Sequence, residues 1–218
     1  MWKSPSGGDR DNEFGTISNR PRNGNSKAPR VRAFAPESLG VTLPPMSTLL
    51  DQAGLRATLA RMARQIAAVA PKDAAVAVVG IRRRGEILAR RLAGLLEEAG
   101  AKPSHYGALD ITLYRDDLTT IGPKAVVRGT EIDFDPTDTW TVLVDDVLFT
   151  GRSVRAALTA LTDLGRPKAI RLAVLVDRGG RELPIQPDFV GMRADVEPPH
   201  IVNVKLTELD GVDEVELL

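Results

Sequence analysis

The chain has 218 residues, 43% of them hydrophobic, and a formal net charge of zero, which allows one ordinary α/β domain plus a tail and argues neither for nor against nucleic acid. Having no cysteine and only two histidines, His105 and His200, it excludes disulfides, thiolate metal centres, a cysteine nucleophile and a multi-histidine metal site. No apolar run approaches the ~18 residues of a membrane span and no apolar secretory core opens the chain, so a cytoplasmic protein with no membrane partner is expected.

Residues 1–45 are rich in Gly, Pro, Ser, Asn and Arg and show neither a two-residue nor a 3.6-residue period. Such a stretch buries too little to offset its chain entropy and is expected to be a disordered N-terminal extension. It carries seven Lys/Arg against four Asp/Glu, so it is either a basic arm that touches RNA or a tail without a role. The folded domain is expected over 46–218.

Thr48 is placed to cap a first helix whose apolar positions, Leu55, Leu59, Met62, Ile66 and Val69, are spaced four, three, four and three apart, with Pro71 ending it. Ala74–Val79 is a short continuous apolar run, the pattern of a strand buried on both faces. Gly80–Gly85 reads as a turn, and Ile87–Ala99 as a helix with Leu88, Leu92 and Leu95 inward and Gly100 just past its end. His105–Thr112 reads as a strand followed by a polar stretch, and Thr139–Val144 as a third buried strand ending at Asp145-Asp146. Arg152–Leu164 is helical, with Val154, Leu158 and Leu161 inward and Gly165 as its stop; Ala169–Val176 is a fourth buried strand and Pro199–Leu206 a fifth near a sheet edge. Strands alternating with long helices predict a mainly parallel sheet flanked by helices, with function in the loops beyond the strands' carboxyl ends.

The strongest motif is Val142-Leu-Val-Asp-Asp-Val-Leu-Phe-Thr-Gly-Arg-Ser-Val154. A buried strand delivers two acids to its end, and a Thr-Gly-x-Ser turn opens the next helix. Backbone N–H groups, two hydroxyls and the helix N-terminus make an anion site there without a lysine. The paired carboxylates suit a phosphorylated ribose rather than a bare phosphate, because they accept hydrogen bonds from vicinal hydroxyls. Neither a GxxxxGK[ST] loop nor a GxGxxG after the first strand is present.

This segment resembles the phosphoribosyl pyrophosphate (PRPP) motif of type I phosphoribosyltransferases. With Val79-Gly-Ile-Arg-Arg-Arg-Gly85, Leu109-Asp-Ile-Thr-Leu-Tyr-Arg-Asp-Asp-Leu118 and Leu175-Val-Asp-Arg-Gly-Gly-Arg-Glu-Leu-Pro184, the chain from about Leu49 onward is similar to the PyrR family, pyrimidine-operon regulators that are also uracil phosphoribosyltransferases. The resemblance implies a type I fold with a flexible flap and a small hood, and a substrate site made of Asp145, Asp146, Val147, Leu148, Phe149, Thr150, Gly151, Arg152 and Ser153. It also implies a pyrophosphate loop with Arg83 and Arg84 and a non-proline cis peptide. Arg115 would reach pyrophosphate from the flap, and Val176, Asp177 and Arg178 would hold the base. Asp145, Asp146, Arg84 and Arg115 would act catalytically. The family usually has Thr where Arg83 stands and often His where Gly180 stands, so Gly180 is given no side-chain role.

The ligands implied are uracil, PRPP, UMP and UTP, with Mg²⁺ bound mainly through PRPP and no protein metal ligand. A pyrimidine-operon leader mRNA is the implied macromolecular partner, with Arg56, Arg61 and Arg64 as candidate contacts, and a homo-oligomer the implied state. A transferase for another nucleobase, or an enzyme without the regulatory role, stays open at this point. His105 and His200 are read as structural.

Overall fold

The computed structural model describes residues 47–117 and 129–218; the N-terminal extension and the tip of the flap lie outside them. Strand β1 (Ser47–Leu50) leads into helix α1 (Gln52–Val69), followed by β2 (Val76–Ile81), α2 (Arg84–Glu98) and β3 (His105–Leu109). After a single 3-10 turn at Thr112–Tyr114 come β4 (Trp140–Leu148), α3 (Arg152–Leu164), β5 (Ala169–Asp177) and β6 (Phe189–Arg193). The chain closes with β7 (Val202–Lys205), the short α4 (Thr207–Asp210) and β8 (Glu214–Leu217).

Five strands form a wholly parallel sheet in the order β3-β2-β4-β5-β6. The apolar runs of β2, β4 and β5 are buried on both faces because helices cover both, and the two-residue period decides which residue faces which helix. Val76, Val78, Val142, Val144, Ala173 and Leu175 pack with Leu55, Leu59, Met62 and Ile66 of α1 and Leu88, Leu92 and Leu96 of α2. Their alternates Val79, Ile81, Leu143, Leu172 and Val174 pack with Val154, Ala157 and Leu161 of α3.

From β2 the chain crosses by way of α2 to β3, whereas from β4 it crosses by way of α3 to β5 on the other side. The neighbouring strands β2 and β4 therefore send their connections in opposite directions, which opens a crevice between their carboxyl ends. Gly85 lets the start of α2 close on that crevice: a Cβ there would stand 2.5 Å from the Val144 carbonyl.

The second layer is a three-stranded antiparallel sheet, β1-β8-β7, which with α4 forms the hood. Arg91 of α2 holds it by hydrogen bonds to Glu208 and to both carboxylate oxygens of Asp213, 2.9 and 2.8 Å away. Burial opposes the charge on Arg91, but these two acids more than offset it and raise its pKa.

Several expectations shift. Thr48 lies in β1 and bonds Glu214 (2.7 Å), while the cap of α1 is Asp51, whose carboxylate accepts Gly54 N–H at 2.7 Å; the β1–β8 pairing that displaces Thr48 joins residues 47 and 217, a contact no local pattern signals. Val69 is exposed at the last turn of α1, and Leu96, not Leu95, completes the buried stripe of α2. Strand β2 runs on through Gly80 and Ile81, leaving only Arg82 and Arg83 as the turn. Strand β3 stops at Leu109 because the Asp110 carboxylate accepts Thr112 N–H (2.8 Å) and bends the chain. Residues 202–205 belong to the hood, and one edge of the parallel sheet is instead the unexpected β6, a short strand with Gly191 at its centre.

Candidate active site

Strand β4 continues past Val144 through both acids, pairing Asp145 with Val174 and Leu148 with Asp177. The carboxylates are thus carried on a hydrogen-bonded strand, held more rigidly than in a free loop. Each is further turned by a neighbouring amide: Asp145 accepts Asp146 N–H (3.0 Å) and Asp146 accepts Val147 N–H (2.9 Å). Burial, with the charge of Asp146 beside it, pushes the Asp145 carboxyl well above the ordinary carboxylate range.

Beyond β4, Gly151 sits at φ 91° as the residue preceding α3, a left-handed conformation that side chains disfavour. It swings the amides of the first turn of α3, which have no acceptor within the helix, to the mouth of the crevice. Ser153 lines that mouth with Asp145, Asp146 and Val147.

Facing the acids is the loop after β2. Arg82 is nearly buried, ion-paired with Glu131 (2.6 Å) and Glu86 (3.5 Å), and its amide donates to the Leu109 carbonyl. The Arg82–Arg83 peptide is cis, as the resemblance implied. Both residues line the crevice. Arg84 does not line it; its guanidinium turns to the hood and pairs with Asp210 at 3.2 Å.

The third wall is the root of the flap. Asp110 accepts the amides of Thr112 and Gly129, and its own N–H donates to Thr130 Oγ1, so one residue closes the two ends of the excursion. Arg115 lines the crevice and pairs with Asp117 at 2.6 Å. The open crevice measures about 320 Å³, with cations on two sides and paired carboxylates on the third.

The remaining expected residues lie beside it. Val176 and Leu148 are buried in the two cores, so any contact they make to a ligand is through backbone. Phe149 is half exposed, with the Arg178 guanidinium 4.1 Å above its ring. Arg178 also donates to the Val196 and His200 carbonyls, and desolvation lowers its pKa. A Cβ at Gly180 would fall 2.4 Å from the Phe149 ring, so a larger residue there requires that ring to move. Arg152 leaves the crevice and pairs with Asp116 and Glu182. Asp177 opens a separate hollow of about 220 Å³ with Gly179, Arg193 and Asp195.

Of the candidate RNA contacts, Arg61 donates to the Val190 and Gly191 carbonyls of β6, while Arg56 and Arg64 are exposed. His105 stacks on Phe134, ring centroids 4.5 Å apart, and His200 bonds its own turn at Glu197. Among the described residues no group of three or more His, Cys, Asp or Glu is gathered to hold a metal, and no helix is long and apolar enough to cross a membrane. By sequence, Arg82 counted only as one of the three guanidiniums of its loop and Asp110 only as the start of another, without a role for either; the signal available was their position, each being the first polar residue past the end of a buried strand.

A parallel sheet whose switch-point crevice sets a glycine-hinged anion turn and two acids against a basic loop defines the phosphoribosyltransferase class, and the family model for the phosphoribosyl transferase domain matches residues 46–211. Solved structures of the same fold include a hypoxanthine phosphoribosyltransferase from Trypanosoma cruzi (TM-score 0.58, 14% identity, 79% of this chain and 95% of that one). A hypoxanthine-guanine phosphoribosyltransferase from Bacillus anthracis superposes similarly (TM-score 0.59, 17% identity, 80% and 98%); at these identities the likeness is one of fold. Curated relatives are much nearer. Bifunctional protein PyrR from Pelotomaculum thermopropionicum is 50% identical over 170 residues, covering 78% of this chain and 94% of its own. The proteins of that name from Thermus thermophilus and Deinococcus radiodurans are 52% and 49% identical, covering 78% and 79% of this chain and 93% and 94% of theirs. The chain belongs to the PyrR family.

Proposed function

We propose that this protein transfers the 5-phosphoribosyl group of PRPP to uracil, releasing UMP and pyrophosphate, and that the same pocket lets uridine nucleotides govern its binding to the leader mRNA of pyrimidine biosynthesis genes. The observation that carries the reading is the crevice between β2 and β4, where the acids and the helix-opening turn face Arg82, Arg83 and Arg115. In the reaction the bond from C1′ to the pyrophosphate oxygen breaks, the bond from C1′ to uracil N1 forms, and the N1 proton leaves. Asp145 and Asp146 accept hydrogen bonds from the ribose hydroxyls and stabilise the cationic ring of the transition state. The first-turn amides of α3, with Thr150 and Ser153, hold the 5′-phosphate. Arg83 and Arg115 take up charge on the departing pyrophosphate, and Arg84 joins them if its pairing with Asp210 is exchanged for phosphate.

Mg²⁺ is carried in with PRPP, where it offsets the charge of the pyrophosphate oxygens. The residues present suit such a substrate-borne ion: Asp145 and Asp146 place carboxylate charge in the crevice, which would favour the Mg²⁺-bound form of PRPP without either acid having to ligate the metal. The base is read beside Asp177 and Arg178, where a site that meets the alternating donors and acceptors of uracil's edge would reject that of cytosine. The protein acts in the cytoplasm as a homo-oligomer.

Steady-state turnover of uracil with PRPP and Mg²⁺ tests the enzyme: UMP and pyrophosphate should appear in equal amounts, and turnover of hypoxanthine, guanine or orotate in place of uracil would overturn the substrate. Gel shifts with the chain's own pyrimidine-operon leader RNA should show binding strengthened by UMP and weakened by PRPP; indifference to both would overturn the regulatory half.

A further inference from the structure

Arg181 stands outside the crevice, in the lining of the hollow beside Asp177, and its guanidinium joins three chain segments around it. Nε donates to the Ile185 carbonyl at 3.1 Å. One terminal nitrogen donates to the carbonyls of Phe149 (2.9 Å) and Gly179 (3.1 Å), with Leu148 O at 3.4 Å, and the other donates to the Asp177 carboxylate. The Arg181 side chain is 14% exposed and that of Asp177 10%, so the pair is shielded from water, where charged hydrogen bonds hold their geometry.

The contacts bear on two different halves of the substrate site. Leu148 and Phe149 immediately precede Thr150-Gly151, the turn that swings the anion-binding amides into place. Asp177 and Gly179 form the loop beside which the base is read. The two halves are also stitched along their backbones, Arg178 N–H to Leu148 O (3.0 Å) and Glu182 N–H to Thr150 O (3.0 Å). Any shift of the phosphate turn on binding is therefore passed to the base loop by a rigid planar cation that spans both. An ammonium could not reproduce this, because its three donors radiate from one atom and cannot reach all three segments.

We infer that Arg181 is a positioning residue that couples the 5′-phosphate turn to the base loop, so that a sugar phosphate in the crevice prepares the uracil site. The inference rests on the reading of the crevice as a PRPP and uracil site. By reciprocity, occupancy of either half tightens the other. The non-reacting pair ribose 5-phosphate and uracil isolates this coupling from chemistry.

Calorimetry on the full chain measures uracil affinity with and without saturating ribose 5-phosphate. Wild type should show uracil tightened about tenfold or more, the equivalent of one charged hydrogen bond. Arg181→Lys should lose the tightening while still melting cooperatively and binding ribose 5-phosphate alone within a few-fold of wild type. In turnover the same variant should raise the KM of uracil with little change in kcat, whereas a role in stability alone would lower kcat through the inactive fraction and leave KM unmoved. If Arg181→Lys fails to fold, Asp177→Asn, which removes one arm with near-identical shape, should reduce the tightening. A variant that keeps the full tightening, or a wild type that binds both ligands with no mutual effect, overturns the coupling. A wild type that binds no ribose 5-phosphate at all fails at the earlier step and overturns the PRPP reading itself.

Discussion

The phosphate turn and the hood are built in opposite ways. The turn is nine consecutive residues, Asp145–Ser153, whose conformation follows from a buried strand, a glycine and a helix start. The hood draws on both ends of the domain: β1 at residues 47–50 pairs with β8 at 214–217, and it is fastened to α2 by Arg91, Glu208 and Asp213. A local device can place groups within fractions of an ångström, as anion binding and catalysis require. A long-range one can move as a unit. Arg84 lies on the seam between them, rooted at the crevice but paired with Asp210 of the hood.

The difference predicts that substitutions in the turn cost activity without stability, and substitutions at the hood's fastening the reverse. The largest effect is expected from Asp145→Asn and Asp146→Asn, each lowering kcat/KM for uracil by about 100-fold or more. Stability should not fall with Asp145→Asn, and the sign follows from its raised pKa. In acid both the folded and unfolded chains hold the proton; as pH rises past the ordinary carboxylate range the unfolded chain ionises first, so stability is lost up to the folded-state pKa. Asparagine removes that loss. Thermal melts between about pH 4 and 8 should show wild type losing stability relative to the variant as pH rises; a difference that does not change with pH would place the titration elsewhere.

Gly85→Ala should come next, costing about 1–3 kcal/mol because the Val144 carbonyl lies where the methyl must go. Since that carbonyl adjoins Asp145, turnover should fall with it, and a variant that melts like wild type would mean α2 is free to back away. Arg91→Met should cost about 1–3 kcal/mol by leaving the partly buried carboxylate of Asp213 without its cation and with only the Thr207 N–H, with the hood losing hydrogen-exchange protection before the parallel sheet does. Simultaneous loss in both would show one cooperative unit. The smallest effect is expected from deleting residues 1–45, which should leave uracil turnover within about twofold and melting unchanged within about 0.5 kcal/mol; a marked loss of activity would give the extension a part in the site.

The same contrast governs what could be read from the chain. The buried strands, the long helices, the helix start at Arg152 and the glycine stop at Gly165 were all legible, because hydrophobic period and turn chemistry act over a few residues. So were the acid pair and the arginine loop, because each follows directly on a buried run. Strand β6 was not, since its short, glycine-broken pattern acquires strand character only by pairing with β5. Nor was β1, which exists because residues 165 or more positions away lie beside it. Of the three adjacent arginines, sequence favoured Arg83 and Arg84 for pyrophosphate; the fold sends Arg84 to Asp210 and brings Arg82 to the crevice wall.

Composition, period and motif therefore determined the class of fold, the place of the acid pair and the glycine-hinged turn that follows it, and the family. Folding alone decided which arginines face the crevice, that Asp145 is driven toward its neutral form, and that Arg181 bridges two loops. The reason is range: strand, turn and cap preferences are settled among near neighbours, whereas the direction of a guanidinium and the charge of a carboxyl depend on groups that only tertiary packing brings within a few ångströms.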